Sequence, residues 1–344
     1  MAPDQLCTID LQDHLNDFPD ATVFHTPEWA KTLCESYGFK QVYHLTACGS
    51  NHCLVPLMEC RNLRGERYGV SLPYSDFGGF LFAAEPDESQ RRQALDFALQ
   101  TGQRRGWKSL EVRGAPAAKQ TRNHSELSYR LIHHRLQIDI PEYMFKNFSS
   151  STRRNIRKAE TAGVEVSFAA SRESIRTFEK LNDLTRKRHG LPPQPRLFFD
   201  ALYRFFFTAG KAFTALAVLD AKPIAAALFI YHRKGCVYKF GASDYRFQHA
   251  RPNNAVMWHT IRKLAAEGVA ELSFGKTEPS NQGLLRFKDG MGAMREDAFY
   301  SRYDITQRRE LPCKTSVSGL HNTIFRALPV PALRIIGAAL YPYT

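Results

Sequence analysis

Between residues 148 and 163, four cations fall at helical spacing. Arg153 and Arg157 are four residues apart, as are Arg154 and Lys158, so a helix here carries two parallel rows of positive charge. Ser149 to Thr152 offer N-caps, Gly163 a stop, and Ile156 and Ala159 an inward face. Arginine in a first turn opposes the helix dipole by roughly 0.3–1 kcal/mol each, where a purely structural helix gains from acids. Cations beside outward N–H groups make an anion site, so a phosphate or polyanion is the expected ligand, weighed against a solvated face. Lys180, Arg186, Lys187, Arg188 and His189 form a second basic cluster on a helix, with Arg188 a candidate contact. A third anion site is expected at Arg251, ahead of a helix capped by Asn253 or Asn254, although Pro252 removes one amide donor. Lys276, in Phe274-Gly275-Lys276-Thr277, is a further substrate-binding candidate.

The elements that must hold these residues recur twice. In the second half, Thr214–Leu219, Ile224–His232 and Cys236–Ala242 read as a three-strand meander, followed by a helix near 254–267 and a short strand, Ala270–Phe274. The first half repeats the order with Gln41–Cys48, Cys53–Cys60, Tyr68–Leu72, a helix near 89–105 and Ser109–Val112. Asp76 and Asp244 follow the third strand of each copy. The expected fold class is α/β with mixed sheets: two tandem units at 1–147 and 148–310, then an apolar, basic tail at 311–344. A meander feeding a helix and then a parallel strand leaves a V-shaped opening. That arrangement is similar to acyltransferases of the GNAT superfamily, where splayed strands expose backbone groups to an acyl carrier.

Composition bounds the setting. The 344 residues suit two domains, and 43% hydrophobic with 24% charged residues is ordinary for a globular chain. A formal charge of +13 favours polyanionic partners such as nucleic acid, nucleotide phosphates or an anionic membrane face. Seven cysteines without a CxxC pair fit neither a zinc site nor a disulfide framework, so no metal and a reducing compartment are expected. Met1 to Asp13 lacks a basic n-region and does not read as a signal peptide. No apolar run reaches the roughly 18–20 residues of a membrane span. The expected location is cytoplasmic. The tail from Gly319, broken by Pro329 and Pro331, either lies on an anionic membrane face or packs on the body.

Gly283-Leu-x-Arg-Phe287-Lys288-x-x-x-Gly292 resembles the signature of FemAB/FemX-like proteins, GNAT-type transferases that attach amino acids from aminoacyl-tRNA to the peptidoglycan stem peptide. Phe24-His-Thr-Pro27-Glu28-Trp29 resembles that family's N-terminal entry motif, residues 151–163 its inter-domain helix, and Tyr238-x-Phe240-Gly241-Ala242-Ser243 its second-domain strand. The resemblance spans about residues 20 to 305. It implies that Lys288 contacts the developing oxyanion or a donor phosphate and that Phe287 shapes the channel. It also implies Lys31 on an acceptor diphosphate, and Asp76 and Tyr238 as acceptor contacts. Two features depart from the family: no long helical hairpin is inserted in the second domain, and the tail is apolar and basic. The loop 246–254 has no glycine, unlike the CoA-binding loop of acetyl-CoA-dependent GNAT proteins.

Amide formation needs a neutral amine at an ester or thioester carbonyl, and positive charge or N–H donors for the oxyanion. The sequence contains no G-x-S-x-G run, so direct transfer without a covalent intermediate is expected. Asp244, Asp289 or a substrate phosphate takes the proton. No tightly bound cofactor is expected; the co-substrate is aminoacyl-tRNA, acyl-CoA or an acyl-carrier protein, and the acceptor a UDP- or lipid-linked envelope precursor. Two alternatives stand beside this reading. One is a GNAT-type N-acyltransferase acting on a polysaccharide or lipid-linked sugar; the other is a non-catalytic polyanion binder.

Overall fold

A computed structural model describes residues 5, 6, 11, 13–116, 127–313 and 319–343. Most of the Met1–Asp13 segment therefore lies outside the described residues, and the leader reading with it. The chain forms two compact units, neither continuous in sequence. The first contains residues 1–132, 296–315 and 340–344; the second contains 133–295 and 316–339. These limits differ from the expected 147/148 and 310/311. Residues 133–137 belong to a strand, Tyr129–Gln137, that neighbours a second-unit strand. The strand Met294–Asp304 pairs antiparallel with Ser109–Pro116 and so returns its chain to the first unit.

In the first unit β1 (Gln5–Leu6) pairs with β2 (Lys40–Cys48), which pairs antiparallel with β3 (Asn51–Arg61), and β3 with β4 (Arg67–Val70). The two-residue β5 (Leu81–Phe82) pairs with β3. A helix, Glu88–Arg105, then leads to β6 (Ser109–Pro116), which runs parallel to β4. Ala94, Ala98 and Leu99 of the helix pack on Val42, Val55 and Leu57, with Trp107 closing the core. Cys48, Cys53 and Cys60 are buried and unbridged, as their apolar setting suggests.

The second unit repeats this order. It begins with β7, the Tyr129–Gln137 strand, and β8 (Glu165–Ala169). The meander follows as β9 (Ala212–Leu219), β10 (Lys222–His232) and β11 (Gly235–Ser243). The helix Pro252–Ala266 precedes β12 (Glu271–Thr277), parallel to β11, and the strand order is β7-β12-β11-β10-β9-β8. Ile224 to Ile230 are buried without a break, as a central strand covered on both faces requires. Val256, Met257, Ile261 and Leu264 of the helix fill the core beside them. Matching order, pairing sense and helix placement make the duplication a property of the fold. The chain is therefore a mixed α/β protein of two tandem units.

The basic helix is Ser150–Thr161, capped by the Ser149 hydroxyl, and a separate short helix, Pro141–Asn147, precedes it. The tail folds as two helices, Leu320–Ala327 and Val330–Leu340.

Candidate active site

The parallel pairing of β11 and β12 covers only Gly235 to Val237 against Glu271 to Ser273. From Tyr238 and Phe274 onward the strands separate. Two local features cause this. Tyr238 pairs with Phe229 but Phe240 pairs with Leu228, so Lys239 is an extra residue, a bulge that bends β11. Gly275 sits at φ 67°, a left-handed conformation that kinks β12 at the same level. The outcome is a V whose walls are Tyr238–Gly241 and Phe274–Thr277.

The equivalent opening in the first unit is filled by its own chain. β4 and β6 pair at Gly69–Leu110 and Val70–Glu111. The following segment then turns back onto β6: Ser71 N–H donates to Glu111 C=O at 2.8 Å and Gly78 N–H to Arg113 C=O at 3.0 Å, while the Ser71 hydroxyl accepts from Arg113 N–H at 2.8 Å. Leu72 and Tyr74 are held at positive φ, 57° and 58°, to make that return. Asp76 is buried in this plug, and its backbone C=O accepts from the Tyr300 hydroxyl at 2.8 Å. Lys31 lies exposed on the helix Pro27–Tyr37 of the same unit. Lys31 and Asp76 both belong to the first unit.

Lys288 is 1% exposed, on the helix Gln282–Gly290. Its ammonium donates to Gly275 C=O at 3.0 Å, the Thr277 hydroxyl at 2.7 Å and, more weakly, Lys276 C=O at 3.5 Å. All three acceptors belong to the β12 wall after it has left β11. The ammonium is thus bound to this wall. In this arrangement Lys288 fastens one wall. Phe287 is half-buried against the core, and Lys276 is half-buried on the wall itself.

Tyr238 is the other wall's prominent side chain. Its ring stands 5.5 Å from Phe229 and 6.3 Å from Phe274, and burial pushes its hydroxyl up to about 12, so it is a neutral donor. The hydroxyl occupies the space above Gly241, where a Cβ would lie 1.7 Å away. The Tyr-x-Phe-Gly spacing thereby acquires a physical reason.

Both carboxylates considered as proton acceptors are in ion pairs. Asp244 caps the turn that follows β11 and grips Arg246 through both oxygens, at 2.6–3.2 Å, and these hydrogen bonds hold it below the ordinary carboxylate range. Asp289 is clamped by Arg295 and bonded to His134 Nε2 at 3.2 Å, which likewise lowers it. Both are weak proton acceptors in this state.

His134 escaped the sequence reading because a lone histidine in a strand carries no signal. Its side chain is fully buried, and burial, reinforced by the Lys288 charge, lowers it to about 4. A histidine held neutral stabilises the fold above its unfolded value near 6.5 and loses that contribution as pH falls toward 4. From pH 7 to pH 5 the loss amounts to about 2 kcal/mol. Urea unfolding of wild type and His134→Asn at both pH values is expected to show a flatter pH dependence in the variant. Equal slopes would remove His134 from that account.

The cationic rows are partly spent on structure. Arg153 donates to Phe148 C=O at 3.1 Å and to Lys146 C=O, closing the preceding helix, and Arg157 lies over the Phe145 ring at 5.8 Å. Arg154 and Lys158 remain exposed. Arg188 stacks over Tyr245 at 5.2 Å. Arg251 is exposed and itself serves as N-cap residue in a left-handed conformation, without a side-chain cap; the expected Asn caps are not made, and Asn253 instead reaches the Ser243 hydroxyl. The basic helix packs on the Phe-Lys helix: Ser149 N–H donates to Gly290 C=O at 2.9 Å.

Residues 146–289, which span this opening, match the family model described as acetyltransferase (GNAT) domain. No curated protein sequence matches the chain. Among solved structures, FemX is similar with a TM-score of 0.65 and 14% identity, over 87% of this chain and 97% of that one. The L-PGS of Bacillus licheniformis matches with a TM-score of 0.55 and 10% identity, over 98% and 99% of the two chains. A tandem GNAT protein from the clavulanic acid biosynthesis pathway matches with a TM-score of 0.53 and 10% identity, over 88% and 98%. At such identities these structures establish the fold, a tandem GNAT arrangement, as the FemAB/FemX resemblance implied. The GNAT domain match makes the chain an acyltransferase.

Proposed function

Starting from a GNAT acyltransferase domain at 146–289, we propose that the chain transfers an aminoacyl group, in the manner of FemAB-like proteins, onto an amine of a cell-envelope precursor. The observation that carries this reading is the contrast between the two openings. The second unit's β11 and β12 are unpaired with each other beyond Val237 and Ser273, and in the first unit residues 71–79 turn back onto β6. A carbonyl seated in the free V meets backbone released from strand pairing, preorganised by the Lys239 bulge and by the Lys288 anchor. Positioning of the two substrates supplies most of the acceleration. With Asp244 and Asp289 held in ion pairs, a substrate phosphate is the proton acceptor. Arg154 and Lys158, with Arg188, Arg251 and Lys276, supply charge for a phosphate-bearing donor or acceptor, the donor being aminoacyl-tRNA. The 246–254 loop without glycine, and Pro252 at the start of its helix, disfavour CoA pyrophosphate. The acceptor is UDP- or lipid-linked, and the enzyme works in the cytoplasm at the inner face of the membrane.

Purified protein is to be offered labelled aminoacyl-tRNAs, acyl-CoAs and acyl-carrier protein with UDP-linked muropeptides. Transfer from tRNA is expected. Transfer from CoA alone would replace this reading with the N-acyltransferase one, and tight, salt-sensitive RNA binding without transfer would leave only a polyanion binder.

A further inference from the structure

Residues 319–343 contain no Asp or Glu, but carry Arg326 and Arg334. Both tail helices are firmly seated within the second unit. Asn322 donates to Gly190 C=O at 3.0 Å, and Gly337 sits so close to Pro193 that a Cβ would lie 2.2 Å from its carbonyl oxygen. Arg334 grips Asp183 through its Nε at 2.9 Å and a second nitrogen. The inward face of Val330–Leu340 is Leu333 and Gly337. Its outward face is Pro331, Ile335, Ala338 and Ala339, with Ile335 72% exposed, and Ile324 on the preceding helix is 61% exposed. Such a helix, apolar outside as well as inside, is out of place on a surface that meets only water.

Beside Ile335 a cavity of about 440 Å³ is lined by Arg176, Lys180, Arg196, Arg334 and Phe199. Two acids share it. Asp183 is taken by Arg334, and burial pushes Glu179 up to about 7. Arg196 stands 4.0 Å from Asp200, whose other oxygen is held by Arg172. The cations are therefore in excess next to exposed aliphatic side chains. A second copy of this chain would bring the same cations against them. An anionic bilayer presents what this face lacks: phosphates for the basic cavity and an acyl boundary for Ile335 and Ile324.

We infer that the outward face of the tail helices, with the adjoining basic cavity, is a docking surface for an anionic lipid bilayer. The inference deepens the membrane-side reading of the acceptor and rests on it only for its purpose. Its test needs neither acyl donor nor acceptor, so either can fail alone. Full-length protein is sedimented with vesicles of phosphatidylcholine alone or with phosphatidylglycerol added. Binding to the anionic vesicles only, weakened by salt, is expected. Ile335→Glu and Lys180→Glu should each lower the affinity tenfold or more, whereas Arg154→Glu with Lys158→Glu, on the basic helix, should not. Millimolar glycerol phosphate should fail to displace the protein. Equal binding to neutral vesicles, no binding to either, displacement by the soluble phosphate, or an equal loss in the Arg154/Lys158 variant would overturn the inference. So would a concentration-dependent dimer that Ile335→Glu dissociates.

Discussion

Lys288→Met is expected to destabilise the chain by about 3–5 kcal/mol and to lower turnover at least tenfold. The scale follows from what the side chain leaves behind. Gly275 C=O, Lys276 C=O and the Thr277 hydroxyl all accept from its ammonium. Each belongs to a wall that β11 no longer pairs. A buried acceptor stripped of its donor costs about 1–3 kcal/mol, and removing one member of a buried charged network about 3–5 kcal/mol. Thr277→Val removes only one acceptor and should cost about 1 kcal/mol. A lysine that acted only on the oxyanion would instead lose turnover with little change in folding. Urea midpoints separate the two. A Lys288→Met midpoint equal to wild type would show that the ammonium is not a structural anchor.

The repeat was legible because its elements depend on local rules: alternating or continuous apolar strands, a helical apolar stripe, and a glycine stop. Gln41–Cys48 was expected and Lys40–Cys48 is found; the helix expected near 89–105 is Glu88–Arg105. The V itself was expected from the order of elements, but its two causes were not. A bulge at Lys239 and a left-handed Gly275 are backbone events with no composition signature. The basic helix was visible as spacing, yet spacing could not tell which cations are spent. Arg153 and Arg157 satisfy local carbonyls and a ring, and that depends on the short helix Pro141–Asn147 lying beside them. His134 and its Asp289 partner are 155 positions apart, so only folding brings them together.

The two units also explain why duplication did not give two equal sites. Both produce the same meander, helix and parallel strand. In the first, positive φ at Leu72 and Tyr74 lets residues 71–79 complete β6's hydrogen bonds. In the second, a buried lysine is hydrogen-bonded to Gly275 C=O and the Thr277 hydroxyl on one wall. The first unit's strands are thus bridged by their own chain, whereas the second unit's part beyond Val237 and Ser273.

Gly241→Ala tests the other wall. A Cβ there would lie 1.7 Å from the Tyr238 hydroxyl and 2.8 Å from its ring carbon, distances at which one of them must move. Gly241 is paired with Ala227 in the middle of the β10–β11 ladder, so the backbone is the stiffer partner and the tyrosine is displaced. The ring then leaves its place against Phe229 and Phe274 and swings into the V. Turnover should fall tenfold or more, while stability falls by about 1–3 kcal/mol, the usual cost of overpacking. The double variant is the sharper test. If the damage runs through Tyr238, adding Gly241→Ala to Tyr238→Ala should cost no further activity, and the two effects should be strongly non-additive. Fully additive losses would mean that the alanine harms the strand itself, and that Tyr238 is not the side chain that shapes the opening.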